Sequence, residues 1–60
     1  MQHQYASLWV SAEGEPGPTN DDLQQHIDEW NNSGWFVVGY STERVDDGSM
    51  LHNFIWRRDT

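Results

Sequence analysis

Three histidines, His3, His26 and His52, are the first side chains to invite a chemical reading, because neutral imidazole is the commonest protein ligand for transition metals. None has a partner at i+4 or at any recognised ligand spacing, so no metal site and no cofactor are expected. His52 is expected across a hairpin from Glu43, a pairing that satisfies it without metal. Adjacent carboxylates occur at Asp21-Asp22, Asp28-Glu29 and Asp46-Asp47. Neighbours on a helix point about 100° apart, so the first two pairs do not converge on one proton. A helix start, a solvated helix face and a turn account for all three pairs. The serines have no nucleophile-elbow context, the chain has no cysteine, and the Gly14/Gly17 loop is flanked by Glu13 and Glu15, which repel phosphate. No catalytic residue is assigned, and a non-enzymatic protein is expected.

Arg57 and Arg58 form the one cationic cluster, at the end of an aromatic strand. Arginine beside an exposed ring can hold a nucleotide-like anion, with the guanidinium on phosphate and the ring under a base. Trp9, Tyr40, Trp56, Arg57 and Arg58 are the binding candidates on that reading. A second candidate surface is acidic: Glu13, Glu15, Asp21, Asp22, Asp46 and Asp47 would form a charged rim for a basic protein partner.

The balance of charge limits the partners. Three arginines, no lysine and ten acidic residues give a net charge of -7 over 60 residues, without the basic footprint that neutralises the phosphates of duplex nucleic acid. No apolar run approaches the roughly 20 residues a membrane span needs, and no signal peptide is evident, so a cytoplasmic protein is expected, in the host cytoplasm if phage-encoded.

The elements that must position these groups follow from periodicity. Gln4 to Ser11 alternates as a strand, with Ala6, Leu8 and Val10 on one face and Tyr5, Ser7 and Trp9 on the other. Ala12 to Pro18 is a loop, with two prolines and two glycines in seven residues. A helix is expected from Asp21 to Asn32, capped by Thr19 or Asn20, with Leu23, Ile27 and Trp30 forming one narrow apolar stripe and Gly34 closing it. Trp35 to Val45 reads as the second strand and Met50 to Arg58 as the third. A two-residue turn at Asp47-Gly48 would pair Val45 with Met50, Glu43 with His52, Ser41 with Phe54, Tyr40 with Ile55 and Gly39 with Trp56. The chain is thus an α+β protein, one β-α-β-β domain over residues 1–60. Its sheet is three-stranded and mainly antiparallel in order 1-3-2, with the helix on one face.

That register sorts Trp35, Val37, Val45, Met50, Phe54 and Trp56 onto one face and Phe36, Val38, Tyr40, Leu51 and Ile55 onto the other. One helix covers one face, so the Trp35/Phe54/Trp56 side is assigned to the helix, and the apolar face left over points to a homodimer made by packing two such sheets or by pairing edge strands. A 60-residue domain buries only about 60% of the surface of its unfolded chain, and the missing disulfides leave self-association and aromatic packing as its supports. A homodimer or higher oligomer is expected.

A tyrosine-bearing first strand and a helix ending in Trp30-Asn31-Asn32 are followed by Gly34-Trp35 leading a hydrophobic strand, then a hairpin to an aromatic strand. This arrangement resembles the small bacterial and phage family called domain of unknown function 4177 over nearly the whole chain, with Trp30 to Val38 the most specific segment. The resemblance implies a β-α-β-β fold with no activity or catalytic residues to carry over, in a setting of phage and bacterial accessory proteins. Together these readings point to a small acidic homo-oligomeric binding protein that modulates or inhibits a host protein. The alternatives are sequestration of a nucleotide signalling molecule at a subunit interface and a minor structural component.

Overall fold

The helix shows most directly how the sequence writes the structure. In a computed structural model describing Met1–Asp59, β1 (Gln2–Val10) leads through a loop to α1 (Asn20–Asn32), followed by β2 (Phe36–Arg44) and β3 (Met50–Arg58). Thr19 is the residue before the first helical turn. Its backbone N–H donates to the Asp22 carboxylate at 2.8 Å, and Asp21 and Asp22 set negative charge at the positive end of the helix dipole. At the other end Gly34 takes φ +88°. The Gly34 N–H then reaches the Asn31 carbonyl and the Trp35 N–H reaches the Trp30 carbonyl, both at 3.0 Å. This paired closure brings the Trp35 ring edge-on to Trp30, 5.4 Å between centroids, supplying the apolar contact that usually accompanies it.

The sheet has the order β1-β3-β2, with β3 central and antiparallel to both neighbours, as the sequence predicts. The register differs. Val45 and Ser49 pair through the Val45 N–H, and the Gly48 N–H returns to the Val45 carbonyl, so the loop contains Asp46, Asp47 and Gly48 rather than two residues. The Asp47 carboxylate selects this longer turn by accepting the Ser49 backbone N–H at 2.9 Å as well as its hydroxyl, while Gly48 supplies the left-handed residue at φ +91°. Arg44 therefore faces Met50, Glu43 faces Leu51, Thr42 faces His52, Ser41 faces Asn53, Tyr40 faces Phe54 and Gly39 faces Ile55. An irregularity between Val37 and Gly39 then shifts the pairing again, bringing Val37 opposite Trp56.

The one-residue slip moves Tyr40 to the helix side of the sheet, beside Phe54. It also puts Ile55 rather than Trp56 beside the bare Gly39 backbone, so close that an added Cβ would lie 3.1 Å from the Ile55 Cδ1. The first strand keeps its predicted faces. Ala6, Leu8 and Val10 align with Phe54, His52 and Met50, whereas Tyr5, Ser7 and Trp9 align with Ile55, Asn53 and Leu51.

The helix side holds the core. Trp56 is wholly buried, Phe54 is 2% exposed, and the Trp30 ring stacks on Trp56 at 5.1 Å with an interplanar angle of 16°. His26 packs among Trp30, Phe54 and Trp56, inside the aromatic cluster. The helix lies over the β1 half of the sheet, so this core is narrow. The fold is a slab of 40 × 18 × 10 Å with a radius of gyration of 12.6 Å. A self-contained globule of 60 residues has a radius near 10.4 Å.

Candidate functional site

The five residues proposed as a binding cluster fall in separate places. Trp56 is a core residue, stacked between Trp30 and Phe54 with no exposed ring face, which corrects its assignment as a surface contact. Trp9 and Arg57 share the face away from the helix but lie at opposite ends of it, six register steps apart, or about 20 Å. Trp9 is 41% exposed and donates its indole N–H to the Ser49 hydroxyl at 2.8 Å. Ser49, 1% exposed, passes the interaction on to Asp47, so one hydrogen-bonded chain straps β1 to the hairpin turn. The Ser49 hydroxyl, and then its backbone N–H, hold the Asp47 carboxyl below the ordinary aspartate value of 3.8.

Tyr40 lies on the helix side and shares a hydrogen bond with Nδ1 of His52 at 2.8 Å. His52 is thus satisfied by tyrosine and faces Thr42, not Glu43. Arg57 forms an ion pair with Asp59 at 3.3 Å. Arg58 donates from Nη2 to the Gln2 side-chain Oε1 at 2.6 Å and lies 4.5 Å above the Trp35 ring, a cation–π contact within the chain. Trp35 is the aromatic partner that sequence reading did not name. Its position right after Gly34 was the available signal, because the helix closure turns it back toward the end of β3.

The acidic residues do come together. The register places the end of β1, the β2–β3 turn and the start of β3 at one end of the slab, where α1 also begins. Glu13, Glu15, Thr19, Asn20, Gly48 and His52 line one cleft there of about 510 Å³. Asp21 and Asp22 occupy the adjoining first helical turn. Asp46 lies in the hairpin turn beside Gly48, and Asp47 lines a neighbouring hollow with Trp9 and Glu15. The opposite end carries Arg57 and Arg58 beside His3 and Gln2. Six of the ten acidic residues thus gather at one end, together with Arg44, whereas at the other end Arg57 and Arg58 are accompanied by Asp59 and by Glu29 beside Trp35.

Among the described residues no group of three or more His, Cys, Asp or Glu is placed to hold a metal ion, and no helix is long and apolar enough to cross a membrane. Comparison of the chain with protein-family models, with curated proteins and with solved structures finds no match.

Proposed function

We propose that this chain is a non-enzymatic, self-associating binding protein that modulates or inhibits a basic protein through its acidic end. The observation that supports this reading is the convergence of three separate segments, the Glu13/Glu15 loop, the Asp21/Asp22 helix start and the Asp46/Asp47 turn, at one end of the slab. A concentrated field of one sign steers a partner of the other sign and speeds its association, whereas the same charges dispersed would act mainly on solubility. The nucleotide alternative has less support, since its candidate rings and arginines lie apart and the Arg58 guanidinium already rests on Trp35.

The test is capture of partners at low and high salt by the wild-type chain and by a Glu13→Gln/Glu15→Gln/Asp46→Asn variant. Asp47 is left intact because it holds the turn. A basic protein retained by wild type, released by salt and lost in the folded variant is the expected result. Retention indifferent to both salt and substitution, or no retained basic protein, would refute the reading.

A further inference from the structure

The two edges of the sheet differ. On β1 the apolar side chains of one face lie under the helix, whereas β2 is uncovered along its length: Phe36 is 58% exposed, Val37 42%, Val38 51% and Tyr40 57%. An exposed nine-residue edge strand whose first half is apolar is a pairing template, and natural proteins blunt such edges with lysine, proline, bulges or inward charges. β2 has no proline or lysine, its charged residues, Glu43 and Arg44, stand together at one end, and its one irregularity, between Val37 and Gly39, leaves Gly39 to Arg44 as the regular edge.

The direction of its free backbone groups follows from the hairpin. Val45 and Ser49 are a hydrogen-bonded pair, and hydrogen-bonded and non-hydrogen-bonded pairs alternate along an antiparallel ladder. Counting back in the unbroken register, Arg44, Thr42 and Tyr40 are the non-bonded positions toward β3, so their N–H and C=O groups point outward from the sheet.

We propose that this edge pairs with the β2 edge of a second copy, antiparallel, making a continuous six-stranded sheet with both helices on one side. This rests on the self-association reading above and names its seam. The occupant is identified by charge. Antiparallel pairing sets the hairpin end of each copy, where Asp46 and Asp47 outnumber Arg44, beside the start of the other copy's β2. There Arg58 rests on Trp35 and Arg57 is already paired with Asp59, so Arg58 is the cation that the turn meets. A two-fold axis makes this complementarity twice over. The strand between the poles carries no net charge, so two chains of net charge -7 meet there without opposing like charges. Pairing also brings the Val37 and Tyr40 side chains, exposed on the helix side, beside same-face neighbours on the second copy's β2.

Sedimentation equilibrium over a dilution series tests the seam. Thr42→Pro removes an outward N–H and no bond to β3, a position where an edge strand tolerates proline, and is expected to weaken self-association about a hundredfold with the monomer still folded by circular dichroism. If that variant fails to fold, a charge exchange decides: Asp46→Arg and Arg58→Glu should each weaken the dimer, and the two together restore it. Ile55→Ser, on the opposite sheet face, should leave the dimer intact. Self-association that ignores the β2 and charge variants but is lost with Ile55→Ser overturns this seam and leaves the self-association reading standing. A wild-type chain that is monomeric at every concentration overturns both.

Discussion

Phe54 and Tyr40 are cross-strand neighbours on the same face, with rings 5.1 Å apart, yet Phe54 is 2% exposed and Tyr40 57%. Their difference is set by the reach of one helix. The apolar stripe of α1 consists of single residues at Leu23, Ile27 and Trp30, joined by His26, and it roofs β3 and the β1 side of the sheet. Strand β2 receives ladder bonds from β3 but little cover. One sheet thus contains an anchored half and a half whose side chains are positioned without being buried. Apolar residues in the first half hold the fold, and those in the second are available for association.

Substitutions on the two sides should separate these roles. Trp56→Ala empties the stack of Trp30, Phe54 and His26 and should cost about 3–5 kcal/mol, as much as many domains of this size possess in total. Thermal melts of dilute protein should show little or no cooperative transition. Tyr40→Phe, which removes only the hydroxyl paired with His52, should cost about 1 kcal/mol under the same conditions. A cost for Tyr40→Phe equal to that of Trp56→Ala would erase the distinction between the halves.

Ser49→Ala should have the next largest effect, about 1–3 kcal/mol, because it strands the Trp9 indole N–H and removes the Asp47 partner at a site 1% exposed. Loss should appear in the denaturant midpoint and as a change in Trp9 emission. Gly34→Ala forces a Cβ into the left-handed region at φ +88° and should cost about 1–2 kcal/mol, read from the same midpoint.

The smallest effect is pH-dependent. The folded Asp47 carboxyl lies below its ordinary value of 3.8, so its contribution is present above that value and lost as pH falls through the lower folded pKa. Wild type should therefore lose hairpin stability in that acid range, and Asp47→Asn should have a flatter stability profile there.

Much of this arrangement is legible in the residues. Gly34 announces the helix closure, the alternation of Ala6, Leu8 and Val10 identifies the buried face of β1, and the single crossover helix gives the strand order. The hairpin register is not legible from Asp47-Gly48 alone. That dipeptide serves a two-residue turn and also the last two positions of a three-residue turn, and what decides between them is the Asp47 carboxylate reaching Ser49. The irregularity near Val38 has no signal in a run of apolar residues, because either face accepts valine. For the candidate site, the charge of the acidic segments is readable, but their meeting at one end depends on where the loop and helix start fold. Trp56 shows the reverse difficulty: an aromatic residue beside arginines reads equally as core or as contact, and only burial separates the two.

Hydrogen exchange at the outward amides of β2 tests the central claim most directly. The amides of Tyr40, Thr42 and Arg44 have no ladder partner within the chain, whereas those of Ser41 and Glu43 face β3. If β2 is the uncovered edge at which two copies pair, the Tyr40, Thr42 and Arg44 amides should be protected at high protein concentration. They should lose that protection on dilution while Ser41 and Glu43 keep theirs. Fast exchange at Tyr40, Thr42 and Arg44 at every concentration, with the chain still associated, would contradict the account.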